Sequence, residues 1–220
     1  MSKHKWLAMR MSDPWYRLAK QEGYPSRAAY KLLYIQEKYG IIREGYTIVD
    51  IGSAPGGMLS VEAKLVGSKG TVLAIDTKEI KYNANNIRKL PLNIFDEESP
   101  RVIADALNWK RCDVLISDAS PNLSGIRELD TIKQLDLVLR VIEISDLILR
   151  NGGNLLVKAY ECRELMDIEK GLKKGFSLYK RVKPPPSTWK RNSEVYLMGL
   201  EKIREGIHNL ILTIIERNHG

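Results

Sequence analysis

The chain has 220 residues and a formal net charge of +8, with 44% hydrophobic and 28% charged residues. This composition is typical of a globular protein and excludes a disordered or low-complexity chain. No apolar run approaches the roughly 20 residues of a membrane span, and the charged amino terminus leads into no long apolar signal core. With only Cys112 and Cys162, a disulfide scaffold and a four-thiolate zinc site are excluded, so we expect a cytoplasmic protein.

The positive charge is concentrated in two segments. Residues 170–191 contain eight lysines and arginines and no acid, and residues 1–44 contain nine basic side chains against four acids. The rest of the chain is mildly acidic. Two basic segments flanking an acidic centre favour a polyanion partner, most simply nucleic acid, over a merely solvated face. Tyr179 and Trp189 lie in the second segment, where they either stack on bases or pack in the core.

The first half of the chain predicts two helices followed by alternating strands and helices. A helix start at Ser12-Asp13-Pro14 has a capping side chain before a proline, and Gly40 ends the second helix. The helices are predicted from Pro14, over 25–39, from the glycine-rich turn to about 66, over 79–89 and over 97–109. The strands are predicted at 47–51, 71–75 and, more weakly, 91–95.

The second half continues this alternation. Strands are predicted at 114–117, 154–159, 176–182 and 194–200, and helices over 128–150 and 162–174. The pattern predicts an α/β fold, a Rossmann-like, doubly wound and mostly parallel seven-stranded sheet. Because only the loop at Pro184-Pro185-Pro186 joins the last two strands, one of them is expected to be antiparallel. We expect a single domain over 1–202, with a basic amino-terminal helical segment, and a helical tail over 203–220. The tail either packs on the domain, which is favoured, or binds a partner.

The first strand runs directly into the glycine-rich turn Asp50-Ile51-Gly52-Ser53-Ala54-Pro55-Gly56-Gly57. Small residues let the backbone approach a ligand closely, and a helix begins where the turn ends. No Gly-Lys-Ser/Thr follows, which excludes a P-loop, and the pattern is not Gly-x-Gly-x-x-Gly, which weakens a dinucleotide site. At the end of the second strand, Asp76 is placed to accept hydrogen bonds from ribose hydroxyls.

The pattern Asp-x-Gly-x-x-Pro-Gly-Gly resembles the cofactor turn of S-adenosylmethionine-dependent methyltransferases, specifically the FtsJ/RrmJ family of RNA ribose 2′-O-methyltransferases. The resemblance covers roughly residues 12–200, with the motifs in order and similarly spaced. The further motifs are Ser26-Arg27-Ala28-Ala29-Tyr30-Lys31-Leu32, Ser117-Asp118-Ala119-Ser120-Pro121-Asn122-Leu123-Ser124-Gly125, Leu156-Val157-Lys158 and Arg191-Asn192-Ser193-Glu194-Val195-Tyr196.

The resemblance implies that S-adenosyl-L-methionine is the cofactor. The residues that it assigns to cofactor binding are Gly52, Gly56, Met58, Asp76, Asn93 and Asp118. Met58 stands where bacterial members often carry tryptophan, and its thioether is suited to pack against the cofactor. For the adenine amino group, the spacing to Asp118 favours Asn93, whereas side-chain chemistry points to Asp96.

The same resemblance implies a catalytic set of Lys31, Asp118, Lys158 and Glu194. A sulfonium methyl donor is already activated, so the enzyme must align a ribose hydroxyl and assist its proton loss. Lys158 accepts that proton if burial or a cationic neighbour such as Lys31 favours the neutral amine; otherwise it orients the hydroxyl. Asp118 is expected to bind a lysine ammonium or the methionine end of the cofactor, and Glu194 to position a lysine or the ribose.

The leading hypothesis is 2′-O-methylation of a ribose in RNA, and the family suggests a uridine of 23S ribosomal RNA in the large subunit. The alternatives are the same reaction on transfer RNA or a messenger RNA cap, and a non-enzymatic RNA-binding factor with a relict cofactor fold. We expect no metal, no membrane and no obligate protein partner. Cysteine-dependent base methylation is disfavoured because Cys112 is expected to precede its strand and Cys162 to follow Tyr160-Glu161.

Overall fold

The structure is a computed structural model that describes residues 13–188 and 194–219. Trp189, Lys190 and the Arg191-Asn192-Ser193 part of the last motif lie outside the described residues, as does the start of the amino-terminal basic segment. The described helices are α1 (Pro14–Gln21), α2 (Ala28–Tyr39), α3 (Gly57–Val66), α4 (Ser99–Ala106), α5 (Arg127–Ile148), α6 (Leu165–Gly175), α7 (Pro185–Thr188) and α8 (Ile207–His219). The strands are β1 (Thr47–Ile51), β2 (Thr71–Asp76), β3 (Ile87–Pro91), β4 (Cys112–Ser117), β5 (Leu149–Tyr160), β6 (Phe176–Val182) and β7 (Glu194–Lys202).

All seven strands form one sheet in the order β3-β2-β1-β4-β5-β7-β6. Strand β7 pairs antiparallel with both β5 and β6, while the pairs among β1 to β5 are parallel. The prediction of a mostly parallel sheet with one antiparallel strand near the carboxyl terminus is therefore confirmed. The chain builds outward from β1 in both directions, so β1 and β4 flank the switch point where such sheets bind ligands.

Helices cover both faces of the sheet, and each face has its own apolar core. On one face, helices α2 and α3 pack on residues such as Ile48, Leu156 and Met198. On the other, α4, α5, α6 and α8 pack on residues such as Val49 and Leu155. The alternation of neighbouring residues such as Ile48 and Val49 between the two cores follows from the two-residue period of a strand.

The prediction of a helix over 79–89 is wrong, and the third strand lies four residues earlier than predicted. Residues 77–86 are irregular, and β3 begins at Ile87, opposite Val72 of β2. The segment contains Asn83, Asn85 and Asn86, a residue type that favours turns because its side chain bonds nearby backbone.

The carboxyl-terminal helix α8 packs on the domain. Ile207 and Ile211 are fully buried in the same core as α5 and α6. Asp146 at the end of α5 accepts hydrogen bonds from the first two backbone amides of α8, at 3.0 Å and 2.8 Å. Within the described part of the chain, none of the helices combines the length and apolarity that a bilayer crossing requires.

Candidate active site

A cavity of about 560 Å³ opens at the switch point between β1 and β4. Its walls include the carboxyl ends of three adjacent strands, with Gly52 after β1, Asp76 at the end of β2 and Asp118 after β4. A further wall is formed by the loop after β3, including Asn93 and the exposed ring of Phe95. Parallel strands bring residues that are far apart in sequence to this one edge.

The glycine-rich turn is shaped by close contact with the loop after β4. Gly52 has a φ of +83°, and a Cβ there would lie 2.6 Å from the Cα of Ala119. The Asp76 carboxylate accepts hydrogen bonds from the backbone amides of Ala54 and Lys78, at 2.9 Å and 2.8 Å. The acid at the end of β2 thus also holds the turn against the sheet.

Four of the six predicted cofactor residues line the cavity, namely Gly52, Asp76, Asn93 and Asp118, whereas Gly56 and Met58 do not. Met58 is buried in the apolar core with α2, because it lies in the first turn of α3 and faces away from the cavity. The expectation that its thioether packs against the cofactor therefore does not fit its position. Gly56, with a φ of +116°, lies instead against Tyr82.

The two candidates for the adenine contact adjoin each other. Asn93 lines the cavity and its side-chain amide donates to the Asp96 carboxylate at 3.1 Å, whereas Asp96 is not part of the cavity wall. Asn93 therefore stays the candidate for the adenine contact, with Asp96 hydrogen-bonded to it from outside the wall.

The four predicted catalytic residues form one connected cluster beside the cavity. The amino group of Lys158 donates to the main-chain oxygen of Asp118 at 2.6 Å and lies 3.3 Å from Oδ1 of the same residue. The amino group of Lys31 lies 3.4 Å from the same Oδ1 and 2.8 Å from Oε1 of Glu194. Three elements that are distant in sequence and the loop after β4 supply these side chains.

The charges in this cluster stabilise one another. Burial lowers the pKa of Lys31, but the carboxylates of Asp118 and Glu194 outweigh that effect, and the net pKa lies above its ordinary value. Burial raises the pKa of Asp118, but Lys158 and Lys31 reverse this and hold it well below its usual range. Lys31 and Asp118 are therefore a charged pair at neutral pH.

Sequence reasoning assigned no role to Tyr196, which the structure places in the cluster. Its fully buried hydroxyl donates to Oδ1 of Asp118 and accepts from the amino group of Lys31 at 3.1 Å. Burial and the nearby carboxylates of Asp118 and Glu194 raise its pKa well above the usual value, so it stays a donor. Its position two residues after Glu194 on β7 was the available signal, because alternate residues of a strand share a face.

Glu194 and the amino-terminal region are joined through the short helix α7. Ser187 donates to Oε1 of Glu194, and Arg27 donates to the main-chain oxygen of Pro186 at 3.0 Å. Arg27 also pairs with Asp13 at 2.6 Å. The start of α1 and the start of β7 are thus connected around the cluster of the four predicted residues.

A second pair of acids lies in the core beneath the glycine-rich turn. Asp50 on β1 and Glu62 on α3 are almost completely buried, and none of their carboxylate oxygens has a hydrogen-bond donor among the described residues. Burial raises the pKa of Asp50 to about 7, and burial together with Asp50 raises that of Glu62 well above its usual value. Both carboxyl groups therefore hold a proton more strongly than an exposed acid does.

The second basic segment is partly paired with acids elsewhere in the chain. Arg181 lies 2.6 Å from Glu169, and Lys170 lies 2.7 Å from Asp167. Tyr179 donates to Glu169 at 2.8 Å and packs against the core, which decides between the two alternatives for this ring. Much of the described part of this segment therefore stabilises α6 and β6.

Neither a metal nor a cysteine nucleophile is supported at the cavity. Among residues 13–188 and 194–219, no group of three histidines, cysteines or acids could hold a metal ion. Cys112 is the first residue of β4, rather than preceding it as predicted. Burial raises its pKa to about 12, which leaves it a thiol.

The sequence of this chain is similar to one family and to named members of it. Residues 24–202 match the family of FtsJ-like methyltransferases. The chain is 42% identical to the ribosomal RNA large subunit methyltransferase E of Methanothermobacter thermautotrophicus, over 89% of this chain and 92% of that protein. It is 36% identical to the protein of the same name in Acinetobacter baylyi, over 90% and 91% of the two chains.

A solved structure supports the same relationship. The crystal structure of a ribosomal RNA methyltransferase from Plasmodium falciparum superimposes with a TM-score of 0.72 at 26% identity, covering 81% of this chain and 98% of that one. The match of the family over most of the chain, and the ordered motifs gathered around one cavity, lead to one conclusion. The chain belongs to the FtsJ-like methyltransferase family.

Proposed function

We propose that this protein transfers a methyl group from S-adenosyl-L-methionine to the 2′-hydroxyl of a uridine in 23S ribosomal RNA. The observation that supports this most strongly is the cluster of Lys158, Asp118, Lys31 and Glu194 at the edge of the cavity. The curated relatives that carry the name ribosomal RNA large subunit methyltransferase E support the choice of RNA. Such a substrate would place the enzyme in the cytoplasm.

The cavity fits a nucleoside-like cofactor in its chemistry. A carboxylate at the end of β2, Asp76, suits ribose hydroxyls, and the Asn93 amide suits the edge of an adenine ring. Gly52, which lines the cavity, lets the glycine-rich turn pack directly against Ala119 of the loop after β4. When bound, the cofactor supplies a methyl group on a positively charged sulfur, so no covalent intermediate with the enzyme is needed.

Lys158 is the residue that we expect to act on the ribose hydroxyl. Two of the three positions around its nitrogen are directed to Asp118, at the main-chain oxygen and at Oδ1. The remaining position carries an N–H if the amine is charged and a lone pair if it is neutral. The first form orients the hydroxyl oxygen, and the second accepts its proton as the new oxygen–carbon bond forms.

Asp118, Lys31, Tyr196 and Glu194 position Lys158. One oxygen of Asp118 is approached by both lysines and by the Tyr196 hydroxyl. Glu194 is a second carboxylate beside the buried ammonium of Lys31, which shares the other carboxylate, Asp118, with Lys158. The cluster therefore holds its geometry before substrate binds, and preorganisation of this kind contributes directly to rate.

The deciding experiment is a methyl-transfer assay with labelled cofactor and ribosomal RNA, followed by nuclease digestion and mapping. We expect the label in 2′-O-methyluridine of the large-subunit RNA, and none in DNA of the same sequence, which lacks the hydroxyl. Label on transfer RNA or a cap alone would overturn the proposed substrate. Label on a base or on protein, or no label despite cofactor binding, would overturn the reaction.

A further inference from the structure

Helix α5 passes beside the cavity with two buried polar residues on one face. Asp130 and Gln134 lie one turn apart, and both are almost completely buried. The residues that follow on this helix face, such as Leu137 and Val141, belong to the apolar core. The helix therefore changes from an apolar to a polar face where it reaches the catalytic cluster.

Gln134 connects the two backbone segments that carry the reacting groups. Its side-chain nitrogen donates to the main-chain oxygen of Lys158 at 2.9 Å and lies 3.4 Å from that of Ala119. Ala119 follows Asp118, lines the cavity and lies against Gly52. One amide group thus spans the end of β5 and the loop after β4.

The other end of the Gln134 amide argues against a role in packing alone. Its Oε1 is buried and has no hydrogen-bond partner among the described residues. Burying an unpartnered carbonyl is unfavourable, and an apolar side chain of the same size would avoid that cost. The glutamine is therefore explained by what its nitrogen does.

Asp130 acts on the same loop from one turn away. Its Oδ1 accepts from the backbone amide and the hydroxyl of Ser124, both at 2.7 Å, and its Oδ2 accepts from the backbone amide of Gly125 at 3.2 Å. The loop after β4 is thereby fixed at both ends by α5. Of these two residues, Gln134 is the one whose side chain hydrogen-bonds the strand that bears Lys158.

We propose that Gln134 is a positioning residue for methyl transfer, which sets the separation of the Lys158 and Ala119 peptides and so the place where the Lys158 amino group meets the ribose hydroxyl. This inference rests on the proposed function. It predicts a loss in the rate of the chemical step rather than in binding, because Gln134 does not line the cavity.

The test is Gln134→Met, which keeps the size of the side chain and removes both hydrogen bonds. We expect kcat to fall about 10- to 100-fold, as small displacements of reacting groups do, while KM for RNA and for cofactor stays within about twofold. Gln134→Glu, which donates only when protonated, should lose more of kcat relative to wild type as pH rises. A Gln134→Met enzyme with wild-type kcat would overturn the proposal.

Asn154→Leu is the matched control. Asn154 lies on the same strand as Lys158, near the other end of that strand, and its side-chain amide also joins two backbone segments. It donates to the main-chain oxygen of Ile41 at 2.9 Å and accepts from the backbone amide of Glu201 at 3.0 Å. We expect it to lower the melting temperature and leave kcat unchanged. If both variants lost kcat equally, and in proportion to their loss of folded protein, Gln134 would have only a structural role.

A second measurement does not depend on methyl transfer. In Gln134→Met, amide hydrogen exchange should become faster in residues 118–126, and in Asn154→Leu it should not. If the wild-type protein proves inactive on RNA, the proposed function fails. The exchange measurement still tests whether the hydrogen bonds of Gln134 hold the loop after β4. Unchanged exchange in Gln134→Met would overturn the positioning role by itself.

Discussion

The amino group of Lys158 contacts Asp118 twice, at the main-chain oxygen and at the carboxylate. Lys158, on an inner strand of the sheet, is thus held by Asp118, which lines the cavity. The same carboxylate oxygen accepts the Tyr196 hydroxyl and lies 3.4 Å from Lys31. Asp118 is therefore the centre around which the whole cluster is arranged.

The first prediction concerns the reacting lysine. Lys158→Ala should lower methyl transfer by at least about 10²- to 10⁴-fold, the usual contribution of a positioned acid–base group, and should leave cofactor affinity near wild type. Single-turnover transfer and calorimetric binding of the demethylated cofactor measure the two effects. Lys69→Met, an exposed lysine far from the cluster, is the control. Loss of cofactor binding in Lys158→Ala would contradict the assignment.

A second prediction concerns Tyr196, the member of the cluster that sequence reasoning missed. Tyr196→Phe removes the hydroxyl between Asp118 and Lys31 and leaves the packed ring in place. We expect kcat to fall about tenfold or more, with a loss of about 1–3 kcal/mol in unfolding free energy from the unpaired buried groups. Steady-state kinetics and chemical denaturation measure the two. An unchanged kcat in Tyr196→Phe would show that the hydroxyl of Tyr196 does not contribute to the reaction.

The adenine contact can be assigned with two alanine variants. Asn93→Ala should weaken cofactor binding about three- to tenfold, the value of one good hydrogen bond, because Asn93 lines the cavity. Asp96→Ala should have a smaller effect, since that carboxylate contacts Asn93 from outside the wall. Titration calorimetry with the demethylated cofactor measures the affinity of each variant and so shows which side chain makes the contact. The reverse order of effects would favour Asp96.

The buried acids Asp50 and Glu62 predict a dependence of stability on pH. Their pKa values are raised in the folded protein, so the folded state binds more protons than the unfolded state above about pH 4. The free energy of unfolding should therefore fall as pH rises from about 4 through 7, by up to about 1.4 kcal/mol per pH unit for each such group. Neighbouring Asp118 and Asp76 add to the effect on Asp50.

Glu62→Gln tests this directly, because an amide can donate to the Asp50 carboxylate without a shared proton. Between pH 5 and 8, the melting temperature of this variant should fall less steeply with rising pH than that of the wild type. The gain in stability over the wild type should be largest at pH 8. Glu97→Gln, at an exposed carboxylate, should follow the wild-type curve. Parallel curves for Glu62→Gln and wild type would mean that the pair carries no extra proton.

The last prediction concerns the tail helix. Ile211→Ala should destabilise the protein by about 2–5 kcal/mol, since Ile211 is fully buried against Gly171 of α6. Leu212→Ala, one residue further along and 37% exposed, should cost less. Urea denaturation measures both. Equal, small effects would show that α8 contributes little to folding.

The sequence by itself determined the order of strands and helices and the glycine-rich turn, because each of these depends on local patterns. The candidate catalytic side chains came from the resemblance of several ordered motifs to one family. Alternating apolar segments specified seven strands, and Lys158 was conspicuous as a charge ending an apolar strand. Local patterns failed between Ile80 and Asn86, where an irregular segment with turn-forming asparagines stands in place of the predicted helix.

The tertiary structure alone decided which of these residues meet. No local pattern states that Met58 faces the core while Asn93 faces the cavity, because helix rotation and loop path are set by packing. The convergence of Lys31 and Tyr196 on Asp118, and the bridge from Gln134 to Lys158, join residues separated by dozens of positions. Contacts of that kind exist only once the sheet has brought its strand ends together.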